Sequence, residues 1–354
     1  MGDVRCGNLF GMADTESSTV NRQIILTDRP NGLVGDYCLK TVEGPVPEAG
    51  EGEAIVRMAY LSVDPTNRVW MREEDSYLPA VPIGDVVRAA GLGVVVESRC
   101  DSYAVGDLVL GLLGWQDYAV VDANERAANV IPAGLPATDV LSIYGSTGLT
   151  AWFGVHDVAK LQAGETFVVS GAAGGVGSVA GQLARIAGAR VVGIAGSDEK
   201  CRWVVEDLGF DACINYKTEN VEERVRGLCP DGVDVYFDNV GGATLDALLA
   251  NLAIGARVAV CGAISHYTAE TLPPVFNTFE LVNKRARMEG FLLLDYLDRF
   301  IEAIGELFPL VLDGSIIYAV EVVEGLENAP ATLNRLFTGE HTGKLLLKVS
   351  NAAD

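Results

Sequence analysis

The tightest constraint on this chain is one short run, Val168-Val169-Ser170-Gly171-Ala172-Ala173-Gly174-Gly175-Val176-Gly177-Ser178. An apolar strand enters a glycine turn, and a segment with helical spacing, residues 176–187, leaves it. Against the pattern G-x-G-x-x-G the three positions are Ala172, Gly174 and Gly177, so the first glycine is an alanine. The physics survives that change. Gly174 carries no Cβ, so a pyrophosphate can approach the backbone, and Gly177 lets the helix pack closely on the strand. A helix beginning near Val176 aims free N–H groups and the positive end of its dipole at the phosphates. Gly174, Gly175, Val176 and Gly177 are therefore candidate dinucleotide contacts; a tight strand–helix turn without a ligand is the bland alternative.

The surroundings of this turn indicate the fold class. Thr166–Ser170, Arg190–Ala195, Ala212–Asn215, Val233–Phe237 and Ala256–Cys261 read as strands. They alternate with helical patterns at 176–187, Glu199–Leu208, Val221–Leu228 and Ala243–Leu252. Fully apolar strands alternating with helices imply a parallel sheet covered on both faces. A further helical pattern at 146–160 precedes them. From Asn21 to about Ala137 the character differs, with short runs such as Glu53–Met58, Gly93–Glu97 and Asp107–Leu110 punctuated by Gly, Pro and Asp. Mixed short elements return near Leu310 and end in a strand at Lys344–Val349. The expectation is an α/β protein in which a doubly wound domain, residues 143–313, is inserted in a β-rich domain, residues 21–142 plus 314–354. Residues 1–20, polar and of mixed charge, read as a disordered arm with no signal peptide.

Composition limits the partners. With 26 basic against 48 acidic residues the net charge is −22, which repels phosphate backbones and anionic membranes. No apolar run approaches the ~18 residues of a membrane span. Seven cysteines, at 6, 38, 100, 201, 213, 229 and 261, form no C-x-x-C pair. They read as reduced thiols of a cytoplasmic protein.

Several chemistries lack their residues. Three histidines, at 156, 266 and 341, give no H-E-x-x-H and no close ligand pair, so no metal site is expected. Tyr144-Gly145-Ser146-Thr147-Gly148 lacks the first glycine of a hydrolase elbow. The chemistry is left to the cofactor. An NAD site calls for an acid at the end of the second strand, and Asp198 competes for that place. The plainer reading makes Asp198 a first-turn helix residue behind a Ser197 cap. Small residues there leave room for a 2′-phosphate within reach of Lys200, which favours NADP(H).

From about Asn21 to Val349 the chain resembles the zinc-independent medium-chain dehydrogenase/reductases, in their prostaglandin reductase and alkenal double-bond reductase branch. The resemblance rests on Leu61-Ser62-Val63-Asp64-Pro65, the Ala172–Gly177 turn, Gly196-Ser197-Asp198-Glu199-Lys200 and Leu208-Gly209-Phe210-Asp211. It continues through Asn215-Tyr216-Lys217, Phe237-Asp238-Asn239-Val240-Gly241-Gly242 and Cys261-Gly262-Ala263-Ile264-Ser265-His266-Tyr267. It implies a Rossmann domain inserted in a GroES-like one, a homodimer, and NADPH-dependent reduction of the carbon–carbon double bond of an α,β-unsaturated ketone or aldehyde. A quinone or carbonyl reductase on the same scaffold, or a catalytically silent NADPH-binding protein, are the alternatives. By motif position Lys200 resembles the lysine on the 2′-phosphate and Tyr216 the tyrosine beside it. Asn239, Cys261, Ser265 and Tyr267 match ribose and nicotinamide contacts, and Phe291 with Leu293 the segment along the nicotinamide near the dimer seam. Tyr267 is the candidate catalytic residue: a phenol stays protonated at neutral pH and can donate to the oxygen on which enolate charge builds. Packing at a strand end is the competing role for it. Two positions depart from the branch. Thr66 replaces a tyrosine often given a substrate-facing role, and His341 replaces the asparagine of G-x-N-x-G-K. No catalytic role is assigned to His341.

Overall fold

The computed structural model describes residues 20–124, 128–132 and 134–353. The arm expected over residues 1–20 falls, Val20 apart, outside the described residues. In chain order the first elements are β1 (Val20–Leu26), β2 (Leu39–Pro45), β3 (Glu53–Val63), α1 (Pro65–Val69) and β4 (Gly91–Ser98). Next come β5 (Leu108–Gly111), β6 (Tyr118–Asp122), β7 (Ala128–Val130), α2 (Ala137–Val140) and α3 (Ser146–Phe153). The central run is β8 (Thr166–Ser170), α4 (Gly175–Ile186), β9 (Arg190–Ala195), α5 (Asp198–Glu206), β10 (Ala212–Asn215), α6 (Val221–Leu228), β11 (Val233–Asp238), α7 (Gly242–Leu249) and β12 (Leu252–Val260). It leads to α8 (Ile264–Tyr267), α9 (Glu280–Lys284), β13 (Arg287–Gly290), α10 (Phe300–Leu312), β14 (Val320–Glu324), α11 (Ala329–Thr338) and β15 (Lys344–Lys348).

Six strands form an all-parallel sheet in the order β10-β9-β8-β11-β12-β13. The expected α/β architecture is therefore present. Why these strands read as unbroken apolar runs is visible in their packing. Phe167 and Val169 of β8 and Val191 of β9 enter one core, while Val168 and Val192 enter a second core on the opposite face. Side chains alternate across a strand, so a sheet covered twice needs apolar residues at both parities. A seven-stranded sheet, mostly antiparallel, holds β14-β15-β3-β4-β5-β7, with β6 pairing the first half of β3 on the edge that β15 pairs farther along. Strands β1 and β2 pair as a separate two-stranded sheet, and the last strands of the chain complete the sheet that β3 begins.

Differences from the sequence reading have local causes. The helix expected over 146–160 narrows to α3 and continues as a wider π-type turn at Gly154–Val158. A Cβ on Gly154 would lie 2.4 Å from Phe237 and 2.8 Å from Phe291, so the chain there runs directly against the core aromatics. Helix α10, which runs through Pro309, was not among the helices expected from the sequence. Strand β13 has all four residues exposed and no alternation to betray it.

The crossover helix α4 lies close to its neighbours because of two glycines. A Cβ on Gly177 would sit 2.3 Å from the Gly171 carbonyl, and one on Gly181 would sit 1.9 Å from Phe210. Gly305 of α10, by contrast, faces open space. Gly181→Ala should lower the urea midpoint, since overpacking of about 1–3 kcal/mol outweighs the ~1 kcal/mol gain in helix propensity. Gly305→Ala should raise it. Equal shifts in the two variants would show that the contact with Phe210 does not constrain position 181.

Candidate active site

In a doubly wound sheet, ligands bind outside the carboxyl ends of the strands, where the strand order reverses. Here that point lies between β8 and β11. Gly171, at φ +62°, ends β8 and turns the chain, and Gly174 caps α4 in an extended conformation. The Gly174 N–H donates to the Gly171 carbonyl at 2.9 Å and the Ser178 N–H to that of Gly174 at 3.0 Å. The N–H groups of Gly175, Val176 and Gly177 occupy the first turn of α4, which has no intrahelical acceptors for them. A Cβ on Gly175 would come 2.9 Å from Thr147, so the turn is held tightly on its inner side.

Across the switch point a buried carboxylate organises the facing loop. Asp238 Oδ1 accepts from Ser170 Oγ at 3.1 Å, from Tyr236 OH at 2.6 Å, and from the N–H groups of Val240 and Gly241, each at 3.0 Å. Asn239 is fixed in consequence: its Nδ2 donates to the Ser170 carbonyl at 2.7 Å and its N–H to Ser170 Oγ at 2.9 Å. Cys261 follows β12, its N–H donating to the Asp238 carbonyl at 2.9 Å. Burial, and then the charge of Asp238, pushes its thiol up to about 12, so it stays neutral. Ser265 Oγ donates to the Val240 carbonyl at 2.6 Å, which leaves its lone pairs for a ligand. Phe291 and Leu293 follow β13 and are half-buried on the core, Phe291 edge-on to Phe237.

The outer end of the edge, past β9 and β10, is basic. Lys200 donates from Nζ to the Gly339 carbonyl at 2.8 Å. Its ammonium is held below the usual lysine range by burial first and then by repulsion from Lys217. Tyr216 lies over Gly196, where a Cβ would be 3.0 Å from its ring. Asp198 Oδ1 accepts from Asn215 Nδ2 at 2.7 Å, and Ser197 Oγ caps α5 by accepting from the Lys200 N–H at 3.2 Å. Asp198 thus opens α5 behind the Ser197 cap, as in the plainer reading of it, and its carboxylate is engaged by Asn215. His341 is half-buried; burial, with repulsion from Lys200 next, lowers it to about 4. It is a neutral imidazole at pH 7, with Nδ1 facing the Arg335 carbonyl at 3.2 Å.

Tyr267 closes α8. Its oxygen accepts the Ala263 N–H at 3.1 Å, so the phenolic proton is left to be donated, and burial keeps the phenol above its usual pKa. The guanidinium of Arg72 lies 6.0 Å from the centre of its ring, and Arg72 Nη2 donates to the His266 carbonyl at 2.7 Å. The candidate cofactor and catalytic residues lie along the carboxyl edge of the parallel sheet or in the loops that leave it, whereas Thr66 lies in α1 and His341 between α11 and β15. Sequence reasoning passed over Arg72, Tyr77 and Lys344. Lys344 Nζ, 4% exposed, donates to the Val63 carbonyl at 2.9 Å and pairs with Asp64 at 2.6 Å. Its one signal was its place in the Gly343-Lys344 pair; Arg72 and Tyr77 stand in a polar stretch with no periodicity. Among the described residues no group of three or more His, Cys, Asp or Glu side chains is gathered to hold a metal.

Residues 22–129 match the family model described as the N-terminal domain of oxidoreductase, and residues 175–308 match that described as zinc-binding dehydrogenase. The chain is 39% identical to the NADPH-dependent curcumin reductase of Escherichia coli, over 93% of this chain and 97% of that one. It is 38% identical to the NADP-dependent 2-alkenal reductase of Nicotiana tabacum, over 93% and 98% respectively. The crystal structure of CurA from Vibrio vulnificus in complex with NADPH superimposes with a TM-score of 0.88, at 36% identity over 93% of this chain and 99% of that one. On this agreement of sequence and fold over nearly its whole length, the chain belongs to the medium-chain dehydrogenase/reductase family, in its zinc-independent branch.

Proposed function

We propose that this protein reduces the carbon–carbon double bond of α,β-unsaturated ketones or aldehydes, with NADPH as the reductant. The observation that carries the reading is Tyr267: a protonated phenol whose oxygen is steadied by a backbone N–H, at the carboxyl edge of the sheet and under a guanidinium. The relatives named above, an alkenal reductase and a curcumin reductase, support it.

The residues present fit the cofactor. Gly174 and Gly175 leave the backbone of the turn open to a pyrophosphate, and the first-turn N–H groups of α4 meet its charge. Lys200 and Lys217 place two cations together in a chain of net charge −22, and the ring of Tyr216 lies beside them. A 2′-phosphate relieves the repulsion that lowers Lys200. When bound, NADPH supplies the hydride that goes to the β-carbon. The chain's own part is to hold the carbonyl oxygen. As charge moves onto that oxygen, the Tyr267 O–H donates to it, and the partial burial of the phenol strengthens such a bond.

We further propose a homodimer. Strand β13 is the edge of the parallel sheet with its four residues exposed, and Val282, Met288, Leu297 and Ile301 on and around it are exposed apolar side chains. An unpaired edge flanked by apolar surface suits isologous pairing with a second copy. Sedimentation velocity on the wild type should show a dimer, and M288K/I301E should convert it to monomer; a monomeric wild type excludes the pairing.

The activity is tested by following NADPH oxidation with an alkenal, an aryl enone, a quinone and a saturated ketone, and identifying the products by mass spectrometry. Saturation of the enal and enone is expected. Turnover of the quinone or the saturated ketone with both double bonds untouched overturns the reading. Lys200→Ala should raise KM for NADPH about tenfold, ~1.4 kcal/mol of binding, and hardly change that for NADH. Equal changes would remove Lys200 from the phosphate. Tyr267→Phe should lower kcat by about 10²-fold with KM for NADPH little altered, and near-normal turnover would take the oxyanion role from it.

A further inference from the structure

We infer that Tyr77, hydrogen-bonded to Thr66, is a second catalytic residue, delivering to the α-carbon the proton that completes the reduction. The inference rests on the reading of the site as an enone reductase.

The geometry begins at α1. Its first turn is locked by Asn67, whose Oδ1 accepts from the Asp64 N–H at 2.8 Å while Nδ2 donates to the Arg88 carbonyl at 3.0 Å. That fixes Thr66, and Thr66 Oγ1 is hydrogen-bonded to the hydroxyl of Tyr77. The Tyr77 ring stands edge-on to Trp70, with centroids 6.1 Å apart. Midway along the intervening loop, Arg72 ties the segment to α8 through the His266 carbonyl and the ring of Tyr267. Arg72 thus holds the loop that carries Tyr77 against the helix that carries Tyr267. Tyr77 is 40% exposed, so water reaches it. Burial of its hydroxyl end raises the phenol above its usual pKa, against the opposing effect of Thr66, so it holds its proton at pH 7.

Stereochemistry calls for such a group. A donor to a carbonyl oxygen lies near the plane of the carbonyl. Protonation of the α-carbon must come along the π lobe, perpendicular to that plane. One phenol does not serve both directions, and Tyr267 is placed for the oxygen. After hydride reaches the β-carbon, the electron pair of the enolate double bond takes the Tyr77 proton. The α C–H bond forms as the O–H bond breaks, and the carbonyl is restored. The phenolate takes a proton from Thr66, whose hydroxyl is refilled from water. In sum, NADPH is oxidised by two electrons, the substrate is reduced by two, and one solvent proton is consumed. The threonine at position 66 thus holds the Tyr77 hydroxyl in place and links it to water.

The test uses an α-methyl enone with NADPH deuterated at the transferred position, and resolves both new stereocentres at early times. The wild type should give one β-configuration and one α-epimer. Tyr77→Phe should keep the single β-configuration and bind NADPH normally by fluorescence titration. It should lower kcat tenfold or more and yield both α-epimers. Thr66→Ser, which keeps the hydroxyl, should retain the single α-epimer, and Thr66→Val should give a mixture between those of the wild type and Tyr77→Phe. A Y77F enzyme that still gives one α-epimer overturns the inference, whatever its rate. A wild type that places no deuterium on the β-carbon overturns the enone reading itself, a result distinct from any α-epimer ratio.

Discussion

The site depends on a junction at the start of β15. There the Gly343 N–H donates to the Ala173 carbonyl at 2.8 Å, and the next residue, Lys344, buries its ammonium against Asp64 and the Val63 carbonyl. Asp64 is itself held by Ser62 Oγ at 2.5 Å and begins α1. One dipeptide therefore joins the phosphate-facing turn to the helix that carries Thr66. A buried ion pair of this kind contributes little net stability, but losing one partner leaves a desolvated charge and costs about 3–5 kcal/mol. Its value here is positional. It sets the turn after β8 and the start of α1 at a fixed separation.

A second constraint is electrostatic. The chain carries a large excess of acid, yet its basic residues are not spread evenly against it. Lys200 and Lys217 adjoin each other at the ends of β9 and β10, and Lys200 pays for that proximity and its burial with a lowered pKa. His341, pushed down by the same lysine, adds no charge at pH 7. Lys200 and Lys217 thus give this corner a local attraction for an anion against the negative charge of the whole chain.

Much of this was legible in the residues. The β8–turn–α4 unit, with strand boundaries matching at Thr166–Ser170, Arg190–Ala195 and Ala212–Asn215, follows from apolar runs and glycines whose reasons are local. Gly177 was assigned to close helix–strand packing, and the Gly171 carbonyl lies where that argument requires. Strand β13, helix α10 and the loop of Arg72 and Tyr77 were not legible. An exposed edge strand has no periodicity, and a polar loop carries no pattern at all.

By itself the sequence determined what repeats and what needs no distant partner: the alternation of strand and helix, the glycine turn, and the cap at Ser197. It also carried the family likeness in motifs of a few residues each. Only the tertiary structure decided the meetings across long separations. Lys344 reaches Asp64, Arg72 reaches His266, and Asp198 turns to Asn215 rather than outward. Local periodicity reports which face of an element is buried. It holds no information on which two loops the folded sheets bring within 3 Å, because that follows from the closing of the whole chain.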